Sequence, residues 1–282
     1  MQTNNKSPRI AFFGTPEFAV FVLEELKKKN IIPDVLVTAP DKPKGRKLVV
    51  TPPPAKIWAK ENDIAVIQPE SLKNGLALPD KEYDLFIIAA YGKIIPKSIL
   101  DMPKYGSLNV HPSLLPEFRG ASPIQSAILE ANETGTTIML MDEELDHGPI
   151  IMQEIISDQL PIERSVLEKK LAKLGGKLLS EVIPEWIAKN IDPQEQDHER
   201  ATYTKKITKE DGLIDLKANG LVNYRKFCAF LGWPGTYFFT EKDGKKVRVI
   251  IKNAELKGGK FKIKTVLPEG KTVINWEDFQ KN

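Results

Sequence analysis

Asn109-Val110-His111 is the densest cluster of polar side chains at the end of an apolar run in this chain. Side chains alternate along a strand, so Asn109 and His111 share one face and place a carboxamide beside an imidazole. Pro112 follows, and its ring restricts the residue before it to extended conformations, which holds the imidazole at the strand terminus. Such a pair either satisfies backbone groups at the start of a loop or supplies a hydrogen-bond donor and a proton carrier to a reaction. Asp146, in Glu143-Glu144-Leu145-Asp146-His147-Gly148, follows another strand-like run and can orient or charge His111, or else solvate a turn with its acidic neighbours.

Other side chains exclude alternatives. His147 is flanked by Gly148-Pro149, as on an exposed turn, and His198 falls in a linker-like stretch, so no metal is expected from the three scattered histidines. Gly14-Thr15-Pro16 lacks the second and third glycines of a dinucleotide fingerprint, which argues against a dehydrogenase. The loop Asp41-Lys42-Pro43-Lys44-Gly45-Arg46-Lys47 carries four positive charges against one negative, either as a solvated loop or as a seat for phosphates.

These residues need a scaffold, and the hydrophobic pattern describes one. Arg9–Phe13 reads as a strand ending in Gly14, followed by a helix with Phe18, Val22, Leu23 and Leu26 on one face. Strands are expected at Val35–Ala39, Leu85–Ala90, Ser107–Val110, Thr136–Met141 and Ile150–Ile156. Helices are expected near Ala55–Lys60, Ile124–Glu130 and Ser165–Ala188. The alternation predicts a doubly wound, Rossmann-like α/β domain with a mostly parallel sheet, in which ligands bind beyond the carboxyl ends of the strands. That rule places the residues after Phe13, Ala90 and Val110 at the site.

Asn190–Gln196 breaks the pattern with Pro, Gln and acidic residues. The expected organisation is a catalytic domain at 1–189, a linker at 190–206 and a small β domain at 207–282, a barrel or meander entered by a helix near Ala218–Phe230. Within it, Lys246–Ile251 and Gly259–Val266 are strands, with hairpin turns at Asp243-Gly244 and Gly258-Gly259. The chain's net charge is only +3, but the residues from Thr202 onward carry +8 and those before it −5. Lysines mixed with Tyr203, Trp233, Tyr237, Phe238 and Phe239 are compatible with a nucleic-acid surface, and equally with a small aromatic core. A single cysteine, Cys228, allows no intrachain disulfide, the polar Met1–Pro8 has no secretory apolar stretch, and no apolar run reaches membrane-span length. A reducing cytoplasm is the expected location.

Phe12–Val20 (FFGTPEFAV), Ser107–Gly120 (SLNVHPSLLPEFRG), Ser122–Gln125 (SPIQ) and Thr134–Ile150 (TGTTIMLMDEELDHGPI) resemble the methionyl-tRNA formyltransferases. SLLP is shared across the wider folate-dependent formyltransferase group, and GTPEFAV narrows the resemblance. Ala201–Ile207, Trp233-Pro234-Gly235 and Pro268–Lys271 look like landmarks of that family's carboxyl-terminal barrel, which is OB-like.

The resemblance implies transfer of formyl from 10-formyltetrahydrofolate to the amino group of initiator methionyl-tRNA, by a monomer needing neither metal nor membrane. It implies Asn109, His111 and Asp146 as catalytic residues. The folate loop falls on Ser113, Leu114, Leu115 and Pro116, and the strand end Ala90, Tyr91, Gly92 and Ile95 would complete an apolar slot. Lys42, Arg46, Lys47, Lys205 and Lys206 are candidates for tRNA phosphates, while Arg119 would meet a polar substrate group or make a surface ion pair. Where the family commonly has an Arg this chain has Lys42, and its carboxyl-terminal domain ends soon after Phe279. Two rivals are a formyltransferase acting on a small amine, such as glycinamide ribonucleotide or an amino sugar, and a non-catalytic RNA-binding module.

Overall fold

The structure, a computed structural model, describes residues 7–45, 48–79, 82–242 and 244–281. Its contacts divide the chain into two units, one of residues 1–119, 135–156 and 169–202, the other of 120–134, 157–168 and 203–282.

The first unit is built on seven strands: β1 (Ile10–Gly14), β2 (Val35–Val37), β3 (Ala65–Ile67), β4 (Leu85–Ala89), β5 (Ser107–His111), β6 (Gly135–Leu140) and β7 (Ile150–Ile155). They lie in the order β7-β6-β5-β4-β1-β2-β3. The five strands β1 to β5 are mutually parallel, whereas β6 runs antiparallel to both its neighbours, β5 and β7. The expected mostly parallel, doubly wound sheet is thus present, with an antiparallel edge. Chain order reverses between β1 and β4, so a crevice opens at the carboxyl ends of those two strands.

Both faces of the sheet are covered, which explains runs such as Leu85–Ala89 that are apolar at every position. On one face Ala11, Phe13, Val35, Val37, Phe86 and Ile88 join Tyr83, Tyr91, Ile95 and Ile99 in one core cluster. Each fully buried side chain of this size contributes about 1.5–3 kcal/mol. Helix α1 (Glu17–Lys28) buries Phe18, Val22, Leu23 and Leu26, the face read from the sequence. Helix α2 (Pro54–Glu61) opens on a proline, whose missing N–H costs nothing in the first turn.

In the long helix α3 (Arg164–Ile187), Gly175-Gly176 sets the closeness of packing. A Cβ on Gly175 would lie 2.3 Å from Val110 Cγ1, and one on Gly176 would lie 2.8 Å from the Val22 carbonyl oxygen. The helix therefore rests directly on β5 and α1. Thr136 on β6 adds a 2.9 Å hydrogen bond to the Leu171 carbonyl.

The second unit carries an antiparallel meander, β8 (Tyr237–Lys242), β9 (Lys245–Lys257), β10 (Lys260–Pro268) and β11 (Ile274–Asn275), paired in sequence order. Positive φ at Gly244, Gly258 and Gly259 makes both expected hairpin turns, while Asp243 lies outside the described residues. Of the two β architectures read from the sequence, the meander is the one observed; among the described residues β11 pairs only with β10, and no pairing closes an OB-like barrel. Helix α4 (Gly220–Phe230) packs here, its Asn219 cap accepting from Leu221 N at 2.9 Å. Arg225 from this helix donates to the carbonyls of Ile128 and Ala131, closing the end of the short helix Pro123–Glu130 that belongs to the same unit.

Candidate active site

Val110 faces α3 across Gly175, so alternation directs Asn109 and His111 to the opposite face of β5. Both are buried, at 9% and 3% exposure. Among the described residues the Asn109 carboxamide has no protein hydrogen-bond partner. His111 is held from both sides. Its Nε2 lies 3.1 Å from the Phe118 carbonyl oxygen, which can only accept, so the proton sits on Nε2 and Nδ1 is the basic nitrogen. That Nδ1 faces Asp146 Oδ1 at 3.5 Å. Asp146 reaches it from a turn after β6 in which its own φ is +51°, a left-handed conformation that L-residues other than Asn and Asp seldom take.

Pairing of Ile88 with Asn109 puts Ala90 level with His111 on the neighbouring strand. Ala90 (φ +52°) and Gly92 (φ +79°) are exposed and turn the chain away at the crevice, while Thr15 at the end of β1 donates to the Tyr91 carbonyl at 3.3 Å. Tyr91 and Ile95 point into the core cluster, and burial pushes the Tyr91 hydroxyl up to about 12. Between them Ile94, rather than the expected Ile95, is the exposed apolar side chain, at 92%.

The loop after His111 is rigidly tied. Ser113 is buried and donates to the Glu117 carbonyl at 2.6 Å, and Thr137 donates to the Ser113 carbonyl at 2.7 Å. Gln153 on β7 donates to both Leu115 O and Thr137 Oγ1, at 3.0 and 2.7 Å. Leu115 is buried, while Leu114 and Pro116 are half-buried. Thr137 and Gln153 were not singled out in the sequence; an isolated Gln in a strand was the available signal.

Arg119 is buried. It is 1% exposed, and its Nε and Nη2 donate to Gln196 Oε1 at 3.2 and 2.7 Å. The surface ion pair weighed for it is therefore excluded. His147 and His198, expected apart on a turn and in a linker, stack with centroids 4.1 Å apart and planes at 1°.

Lys42 is exposed on a small hairpin, Lys42–Lys44 with Val49–Thr51, and Arg46 and Lys47 lie outside the described residues. The loop's one acid is already engaged: hydrogen bonds from Gln68 and Lys56 hold the Asp41 carboxyl below its usual range. Lys56 also makes an ion pair with it at 2.8 Å. Lys205 and Lys206, in the other unit, are exposed. No group of three or more metal-ligating side chains occurs among the described residues.

The sequence profile of the formyl transferase family matches residues 8–183. The chain is 43% identical over 248 residues to the methionyl-tRNA formyltransferase of Caldicellulosiruptor saccharolyticus, covering 85% of this chain and 78% of that one. The chain belongs to the methionyl-tRNA formyltransferase family. Likeness of fold extends to a 4-N formyltransferase from Francisella tularensis, with a TM-score of 0.67 at 22% identity over 88% of this chain and 99% of that one. It also extends to an N-formyltransferase from Helicobacter canadensis in complex with folinic acid and dTDP-3-aminofucose, with a TM-score of 0.62 at 19% identity over 89% of each chain. In this methionyl-tRNA formyltransferase family member, the strand-end residues Asn109 and His111 and the Asp146 turn all fall inside the span matched by the family profile.

Proposed function

We propose that this chain moves the formyl group of 10-formyltetrahydrofolate onto the α-amine of initiator methionyl-tRNA, in the cytoplasm, as a monomer, with 1–189 as catalytic domain, 190–206 as linker and 207–282 as tRNA-binding domain. The observation that carries the chemistry is a carboxamide with no partner among the described residues, beside a His–Asp pair at the carboxyl end of β5, in a chain 43% identical to a named relative.

The residues fit a folate. Half-buried Leu114 and Pro116 and exposed Ile94 offer apolar surface to a flat ring system, and the backbone turns at Ala90 and Gly92 leave polar groups for its edges. Bound there, the folate supplies an activated formyl carbon. Ser113, Leu115, Tyr91 and Ile95 support this wall from behind, by hydrogen bonding within the loop or by packing in the core.

Asn109 Nδ2–H donates to the formyl oxygen as negative charge gathers there, and an aligned donor of this kind contributes about 2.7–4 kcal/mol. The α-amine forms a bond to the formyl carbon while the bond from that carbon to folate N10 breaks. His111 Nδ1 takes the proton the amine sheds and passes it to the departing nitrogen, so the enzyme gains none overall. With Nε2 committed to the Phe118 carbonyl, this geometry favours proton carriage over simple donation. The Asp146 carboxylate stabilises the imidazolium that forms in transit.

Lys42, Arg46, Lys47, Lys205 and Lys206 would neutralise tRNA phosphates. Affinity for tRNA should then fall linearly with salt on a log–log plot, losing about 0.7–0.9 in slope for each contact removed. The decisive test of the site is Asp146→Asn: kcat should drop and its pH profile change. A variant with wild-type kcat and profile would remove Asp146 from the mechanism.

A further inference from the structure

We propose that Arg119 and Gln196 are positioning residues, a clasp that holds the Asp146 turn so that its carboxylate faces His111; this rests on the reading of Asp146 just given. The amide of Gln196 is oriented without ambiguity. Its Oε1 accepts both contacts from Arg119, so its Nε2 faces the other way, donating to the carbonyls of Asp146 at 3.0 Å and Gly148 at 2.7 Å. A flipped amide would set NH₂ against a guanidinium and an oxygen against two carbonyls.

One buried side chain, 5% exposed, thereby grips the carbonyls on both sides of His147. The gripped residue is the one with φ +51°, a conformation the turn does not favour unaided. Gln196 is itself fixed. Gln194, two residues earlier, exchanges backbone hydrogen bonds of 2.8 and 2.7 Å with Ile150 at the start of β7. The same Arg119 Nη2 also lies 2.9 Å from His198 Nδ1. His198 stacks on His147, whose Nδ1 contacts Asp142 Oδ2 at 2.6 Å, so the turn is bound again through its own middle residue. The segment that reads as a linker thus completes the catalytic loop.

The test is Gln196→Glu in the full chain, assayed by formyl transfer to charged initiator tRNA. The carboxylate keeps the acceptor for Arg119 but sets oxygen against the two carbonyls in place of two donated hydrogen bonds. The expected result is kcat lower by roughly 10- to 100-fold with KM for either substrate within about 3-fold. In an Asp146→Asn background the same change should alter kcat by less than about 3-fold, because the group it positions is already disabled. Gln196→Met, of matching length and without charge, should show the same loss confined to kcat, and replaces the glutamate should that variant not fold. Wild-type kcat in either foldable variant, or a loss undiminished in the Asp146→Asn background, overturns the clasp. A slow Asp146→Asn with a fast Gln196→Glu overturns it alone, whereas a wild-type Asp146→Asn removes the role of Asp146 and the clasp with it.

Discussion

Replacing Asn109 by alanine should separate chemistry from stability more cleanly than any other change at the site. The carboxamide has no protein partner among the described residues, so truncation breaks no internal hydrogen bond and strands no buried donor or acceptor. The strand pairings of Asn109 with Ile88 and Met139 are backbone contacts and survive. The stability change should therefore stay within about 1 kcal/mol, a shift of about 2–4 °C in Tm for a chain of this size. Loss of a donor aimed at the formyl oxygen removes about 2.7–4 kcal/mol from the transition state alone, which is a factor of about 10²–10³ in kcat. Steady-state formyl transfer with both substrates varied, alongside a thermal melt of the same preparation, reads the two effects separately. A kcat within about 3-fold of wild type, or a loss expressed only in KM, would refute the donor role.

Gly148→Ala should destabilise by more than about 2 kcal/mol in chemical denaturation, because its Cβ would lie 2.0 Å from the Leu140 carbonyl oxygen and only a backbone shift relieves that; an unchanged midpoint would contradict this packing. Tyr91→Phe should leave stability equal or raise it by up to about 1 kcal/mol, since it deletes a buried hydroxyl with no hydrogen-bond partner among the described residues, and a clear loss on denaturation would show that the hydroxyl is satisfied. Burial pushes the Cys228 thiol up to about 11, against an opposing hydrogen bond from Tyr224, so at pH 8 the thiolate is scarce and the native protein should not react with a thiol-specific disulfide reagent. Reaction at pH 8 before unfolding would contradict that burial.

Much of this arrangement is legible in the chain because the signals are local. The apolar run Leu85–Ala89 declares a strand covered on both faces, Pro112 fixes the end of β5, and strand alternation alone pairs Asn109 with His111. The glycines of the two hairpin turns mark the meander. What stays hidden depends on distant partners. Nothing near Arg119 says that it is buried, since its acceptor Gln196 lies 77 positions away, and Gln196 reaches back 50 positions to Asp146. The stacking of His147 on His198 is invisible for the same reason. The reversed direction of β6 between β5 and β7 is also a property of pairing, because an apolar strand pattern reads alike in either direction. Ile94 and Ile95 show how a single-residue step decides a role: one enters the core and its neighbour is left at the crevice.

The most direct test of the account is transfer of labelled formyl from 10-formyltetrahydrofolate to charged initiator methionyl-tRNA, run beside uncharged tRNA, glycinamide ribonucleotide and an amino sugar nucleotide. Label is expected on the charged tRNA and on no other acceptor. Label on a small amine with none on the tRNA would contradict it.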